Sequence, residues 1–191
     1  GAGSSFCVGA EVGERLGSKE ERMNRIARGS NPEGFLGRTI NWKPVIAAIH
    51  GYCLAGGLYI AMECDLIVAS EDAQFAMSQT KRGISGGRAW AKLQAVMPSK
   101  LATEMLITGE RVSASELYRL GGINRLVPTG QHLRAAEELA QVILKTPPLA
   151  VRSGVRLTRW KWTKAVAEVD MYIQALRLHL SEDLEESVKA F

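Results

Sequence analysis

Short apolar runs of strand length alternate along this chain with longer stretches whose apolar residues recur at helical spacing. From Lys43 onward the pattern is readable: Pro44 leads into the apolar run VIAAI, and Gly51 closes it soon after. Such a run predicts a parallel strand buried on both faces. Residues 55–63 begin on glycines and lack β-branched crowding, which predicts a buried helix. LIVAS, after Asp65, is a second strand; Glu71-Asp72 makes a turn into the short strand QFAM. Strand, helix and strand in about 25 residues form an α/β crossover.

Further on, Pro98-Ser99 separates two helical stretches, RAWAKLQAVM and KLATEMLITG, with Ser99 expected as the cap and Gly109 as the stop. Ser113 and Glu116 have the spacing of a capping box for the next helix, which Gly121-Gly122 should end. NRLVP at 124–128 reads as a last edge strand. The remainder is helical, with breaks expected at Pro147-Pro148 and at Gly154, and suits packing on a neighbouring subunit. Upstream, residues 11–28 are charged nearly throughout and predict an exposed helix or lid, followed by a turn at 31–34. The expected organisation is a core over 1–130 and a C-terminal helical oligomerisation region over 131–191, without internal repeats.

Composition narrows the classes. A chain of 191 residues, 46% of them hydrophobic, can bury one substantial core. No run reaches the roughly 20 apolar residues of a membrane span, and the first residues lack the basic flank of a secretory signal, so the expected setting is cytoplasmic. Cys7, Cys53 and Cys64 have no spacing suited to zinc or a disulfide framework and read as buried thiols in a reducing compartment. The formal charge is +4. Lys145, Arg152, Arg156, Arg159, Lys161 and Lys164 form an acid-free basic zone that would suit phosphate, although a solvated helix face is the commoner reason for such a zone.

Two glycine-bearing stretches carry the candidate chemistry. In GAGSSFCVGAE at 1–11, small neighbours at Gly9 and Ala10 leave room for the Val8 amide to face a ligand. At 56–57, glycines open a helix whose first amides have no intrahelical acceptor and sit at the positive end of its dipole. Together they could give two donors to one oxyanion; alternatively, the glycines only permit tight packing, which spacing alone favours. GISGG at 83–87 matches a nucleophile elbow around Ser85, but TKR precedes it where an apolar strand is required. His50 reads as a hydrogen-bonded core histidine. His132 and His179 have no carboxylate or thiol partner nearby in sequence, and no metal site is expected. Trp160 and Trp162 suit packing against a partner helix better than stacking on a base.

Taken in order, GAGSSFCVGAE, WKPVIAAIHGYCLAGGLYIAMECDLIVASEDAQFAMSQTKRGI and LITGERVSASELYRLGGINRLVP closely resemble the crotonase family, the enoyl-CoA hydratase/isomerase superfamily. The resemblance implies an α/β fold, a spiral of ββα units with a C-terminal helical trimerisation region, and homotrimers that often pair into hexamers. It implies an acyl-CoA thioester as partner, with coenzyme A as part of the substrate and no separate cofactor. It also implies an oxyanion hole made by the amides of Val8 and Gly56, with Gly9, Ala10 and Glu11 along the substrate. Glu11 stands where the family's GxD has aspartate. Family members carry roughly 60 residues before the first motif, so the N-terminal part of the domain and part of the coenzyme A pocket are expected to be absent.

One departure bears on the reaction. The hydratases of this family use two glutamates, and the matching positions here are Tyr59 and Gln79. An amide does not titrate, and an unperturbed phenol has a pKa of about 10. Ordinary hydration of a 2-enoyl-CoA is therefore not expected; isomerisation, decarboxylation, C–C cleavage and thioester hydrolysis stay open. Tyr59 and Gln79 either take part in the chemistry or only shape an apolar pocket. Glu63, one turn beyond Tyr59, reads as structural. The alternative is a catalytically silent homologue serving binding, assembly or RNA, although nucleic acid is not the expected partner.

Overall fold

The computed structural model of the chain describes residues 1–10, 42–84 and 86–176, the positions 18, 20, 21, 24, 182, 186 and 189, and, from 161 on, the backbone alone at 162 and 170–176. Glu11, Ser85 and His179 lie outside the described residues, as do the turn expected at 31–34 and most of 11–28. Within that charged stretch Ser18 and Glu21 cap each other: the Glu21 amide donates to Ser18 Oγ (3.2 Å) and the Ser18 amide to the Glu21 carboxylate (2.7 Å).

The strands divide between two small sheets. Strands β1 (Ile46–Ile49), β3 (Leu66–Ser70) and β6 (Arg125–Val127) form a parallel sheet in that order, while β2 (Tyr52–Leu54) and β4 (Gln74–Ala76) pair in parallel and β4 pairs antiparallel with β5 (Val112–Ser113). The chain therefore lays one strand in the first sheet, the next in the second, and crosses back through a helix. That winding is the expected spiral of ββα units. Helix α1 (Gly56–Glu63) makes the first return; α2 (Gly87–Val96), α3 (Ser99–Thr108), α4 (Ala114–Arg119), α5 (His132–Leu144) and α6 (Pro148–Leu176) follow.

The main core is shared by α1, the inward face of β2 and β4, and helices α2 to α4. Ile49, Cys53, Leu58, Phe75, Met77 and Leu93 are fully buried in it. A smaller cluster forms where Val68 of β3 meets Ala135 and Ala136, placing α5 on the outer face of the first sheet.

Most boundaries fall where expected. Gly109 stops α3 in the left-handed region (φ 63°), and β6 lies at a sheet edge. Three details differ. Ser99 is already the first helical residue, Pro98 occupies the capping position, and no side chain caps α3. The Ser113 hydroxyl does accept from the Glu116 amide (3.2 Å), but the Glu116 carboxylate turns away to Arg119 (2.6 and 2.9 Å). Finally, α6 runs through Gly154 unbroken. The Thr158 hydroxyl donates to the Gly154 carbonyl (3.0 Å), and a single glycine costs a packed helix only about 1 kcal/mol.

The basic zone is partly spent inside the chain. Arg159 is buried and forks onto Asp65 (Nε–Oδ1 2.8 Å, Nη2–Oδ2 2.6 Å), with a further bond to the Lys43 carbonyl (3.2 Å). Arg156 stacks over Trp42 at 5.0 Å, and Lys161 reaches the Ala95 carbonyl at 3.3 Å. Trp160 remains 70% exposed. Asp65 also accepts the Val45 amide (2.8 Å), so one carboxylate joins the entry to β1, the end of α1 and helix α6. Truncating it strands a buried guanidinium. Asp65→Ala is expected to cost about 3–5 kcal/mol, whereas Asp65→Leu with Arg159→Met, which removes both charges, should recover most of the loss; thermal unfolding of the two variants checks this.

Candidate active site

The site is built where the N-terminal segment meets the start of α1. Phe6 and Cys7 extend the second sheet along β2: the Phe6 amide donates to the His50 carbonyl (2.9 Å), Cys7 to Tyr52 (3.0 Å), and Leu54 back to the Cys7 carbonyl (2.9 Å). Val8 follows immediately. Among the described residues, neither its amide nor that of Gly56 is paired with a backbone carbonyl.

Ala55 makes the sharp turn from β2 into α1. It is the one non-glycine with positive φ among the described residues (φ 50°, ψ −112°), a conformation that costs on the order of 1–3 kcal/mol. Two hydrogen bonds hold it, from its amide to the Ala76 carbonyl (2.9 Å) and from the Tyr59 amide to its carbonyl (3.1 Å). Space holds it too. A Cβ on Gly9, itself at φ 102°, would come within 3.1 Å of the Ala55 methyl, and one on Gly56 would lie 3.7 Å from Gly9 Cα. The approach is tightest at Gly57, where a Cβ would stand 2.3 Å from the Cys7 carbonyl oxygen. The two glycine-bearing stretches thus pack backbone against backbone.

Helix α1 opens without a side-chain cap and without an acidic residue in its first turn, so its leading amides keep their partial positive charge. A cleft of about 630 Å³ is lined by Val8 and Ala10 of the first glycine-bearing stretch and by Leu54, but by neither Gly9 nor Gly56. Val8, Ala10, Leu54 and Ala76 line its apolar side, and Lys81 and Arg111 lie on its polar side. Lys81 pairs with Glu110 (2.6 Å), and Arg111 sits 4.7 Å over the Tyr52 ring.

Tyr59 and Gln79 do not line this cleft. Tyr59 is one turn into α1, its hydroxyl buried and its ring packed against the core. Gln79 caps the 3-10 turn Thr80–Arg82; its side-chain oxygen is buried with no hydrogen-bond partner among the described residues. Lys92 and Glu63 complete the surroundings of Tyr59. They form a buried ion pair (2.9 Å), and the Lys92 ammonium lies 4.3 Å from the centroid of the Tyr59 ring. The sequence held a signal for Lys92: it lies three residues after the buried Ala89 and beside Leu93, on the apolar stripe of α2.

The other candidates find structural surroundings. His50 Nε2 lies 3.0 Å from the Gly3 carbonyl oxygen, and its ring stacks on His132 at 4.5 Å. All three cysteines are free thiols. Burial, with help from Asp65 and Glu63, pushes Cys64 up to about 11, and burial raises Cys53 further, so both stay protonated at neutral pH. Among the described residues no three His, Cys, Asp or Glu side chains gather in a metal-binding group, and no helix is long and apolar enough to cross a membrane.

Comparison with known proteins bears on all of this. A sequence profile described as enoyl-CoA hydratase/isomerase matches residues 1–191. A mevalonyl-coenzyme A hydratase of Aspergillus fumigatus is 35% identical across 100% of this chain and 72% of its own length. A carnitinyl-CoA dehydratase of Salmonella typhimurium is 36% identical over 94% of this chain and 75% of its own. Among solved structures, the carnitinyl-CoA hydratase from Mycobacterium avium superposes with a TM-score of 0.73 at 32% identity, over 100% of this chain and 75% of that one. The crotonase resemblance of the glycine motifs thus extends through both sheets and every helix between them, and the chain belongs to the enoyl-CoA hydratase/isomerase family, enzymes of acyl-CoA thioesters.

Proposed function

We propose that the chain binds an acyl-CoA thioester and holds the negative charge of its enolate on the amides of Val8 and Gly56. The observation that supports this reading is the backbone packing of Gly9 on Gly56, beside two amides that, among the described residues, have no backbone carbonyl partner, with Val8 lining the cleft. An α-proton of a thioester leaves only if the carbonyl oxygen is stabilised while charge develops on it. Preorganised amides do this without reorganising, and one such donor is typically worth about 10²–10³ in rate. Ala10, which lines the cleft with Val8, continues the proposed acyl-binding strip, to which the family resemblance also assigns Gly9 and Glu11. Coenzyme A enters as the carrier of the substrate.

The chemistry at the α- and β-carbons is set by the remaining side chains. With Tyr59 and Gln79 at the two key positions there is no pair of carboxylates to hold and activate water, which supports isomerisation, decarboxylation, C–C cleavage or thioester hydrolysis over simple hydration. A second reading is supported by the relatives' names, hydratase and dehydratase: addition or loss of water on a more highly substituted acyl-CoA, with other groups moving the proton. The exposed Leu157 and Trp160 on α6 support assembly into a homotrimer or hexamer.

Two experiments test these readings. Gly56→Pro removes the donor at a helix position that tolerates proline, while Gly56→Ala keeps the N–H and adds a methyl that meets Gly9 only at van der Waals distance. With both variants folded by circular dichroism, α-proton exchange of butyryl-CoA in deuterated water is expected to fall about 10²–10³-fold in Gly56→Pro and clearly less in Gly56→Ala. Equal losses would contradict the amide's role. In the second, crotonyl-CoA hydration by the parent chain should be slow, and the double variant Tyr59→Glu/Gln79→Glu should raise it at least about tenfold. Brisk hydration by the parent chain would favour the second reading.

A further inference from the structure

The cations that line the cleft are not alike. Lys81 is committed: its stem lies across Gly109, where a Cβ would meet the Lys81 Cγ at 2.9 Å, and its ammonium is 2.6 Å from the Glu110 carboxylate. That hydrogen bond and the lysine's charge hold the Glu110 carboxyl below its ordinary range, helped by the charge of Arg111, so the pair is formed and balanced at neutral pH. Arg82 also lines the cleft and has interactions of its own.

Arg111 differs. Among the described residues no carboxylate lies within ion-pair distance of its guanidinium. Its partner is instead an aromatic ring: the guanidinium lies over Tyr52, 4.7 Å from the centroid, and Nη1 makes a long bond to the Tyr52 hydroxyl (3.5 Å). Tyr52 begins β2 and Arg111 immediately precedes β5, the two strands that flank β4 in the second sheet. A guanidinium has five N–H donors, and the bond to Tyr52 uses one. Held by its face, the fork keeps its edge for a planar anion and loses little further freedom when one binds.

The position of Val8 narrows the choice of anion. Val8, whose amide the reading above assigns to the thioester oxygen, and Arg111 both line this one cleft of about 630 Å³. Every phosphate of coenzyme A is separated from the thioester by the whole pantetheine arm, whereas a carboxylate ending a short acyl chain is only a few bonds away. We propose that Arg111, stacked on Tyr52, is a specificity-determining residue that takes the free carboxylate of a dicarboxylic acyl group, so that the substrates are dicarboxylic acyl-CoA thioesters. The methylenes between the two ends lie along Ala10, Leu54 and Ala76. The inference rests on the thioester reading above and adds the class of acyl group.

The test is calorimetric titration of the parent chain and of Arg111→Met with glutaryl-CoA and adipyl-CoA, with pentanoyl-CoA and hexanoyl-CoA as neutral controls of equal length, and with free coenzyme A. All five probes carry the same phosphates, so a difference between matched thioesters reads the acyl carboxylate alone. The parent is expected to bind at least one diacid thioester about tenfold or more tighter than its neutral control, and Arg111→Met to lose that preference while binding the neutral thioesters as the parent does. Arg111 is exposed, and the variant should fold. A parent without the preference overturns the proposal whether or not the variant folds; so does a preference that survives in folded Arg111→Met. Equal weakening of diacid thioesters, neutral thioesters and free coenzyme A would mean that Arg111 reads a phosphate, which sinks this proposal and leaves the thioester reading standing. A parent chain that binds none of the thioesters sinks both.

Discussion

The contact on which the rest of the site depends is one of main chain on main chain, between Cys7–Gly9 and Ala55–Gly57. The Cys7 carbonyl accepts from Leu54 and occupies the space a side chain at Gly57 would need. Because that approach is so close, the strand extension and the first turn of α1 move as one piece, and the strained Ala55 is kept from relaxing by the backbone on either side of it. A side chain at Gly9 or Gly57 would push the two segments apart, whereas one at Gly56 would meet Gly9 at ordinary van der Waals distance. The glycines of the two motifs therefore serve close packing, and the proposed oxyanion hole would use the same arrangement.

Around this contact the protein uses charge in two different ways. Asp65 and Arg159 form a structural clamp: a bidentate pair whose remaining capacity is used by the Val45 amide and the Lys43 carbonyl. Lys92 and Glu63 lie deeper, and the Lys92 ammonium is 4.3 Å from the centroid of the Tyr59 ring. The first pair secures the far end of α1 to the C-terminal helix. The second ties the last residue of the same helix to α2 within the core. One eight-residue helix is thus anchored by two ion pairs at its tail and by close backbone packing at its head.

Much of this was legible in the residues. VIAAI, LIVAS and QFAM announce strands because buried parallel strands read as continuous apolar runs, and Gly109 announces a helix stop because a left-handed residue belongs there. Val8 and Gly56 were proposed from glycine placement together with family resemblance, and the structure packs their two stretches against each other. What stayed hidden depends on long-range pairing. Arg159 looked like one member of a basic surface zone, since local sequence says nothing of an aspartate on another element. Lys92 was concealed for the same reason, although its place on an apolar stripe was a hint. Gly154 failed as a break because packing of α6 along α2 outweighs the modest local cost of one glycine.

The clamp between Asp65 and Arg159 also has a temporal side. Its partners are 94 positions apart, so while the chain is being synthesised the carboxylate of Asp65 has the Val45 amide beside it but no guanidinium until the last helix emerges. Closing so long a loop is entropically expensive and is repaid only when both ends are in place. The glycine contact precedes Arg159 in the chain, so the segments that make it are synthesised before the partner that neutralises their acidic anchor.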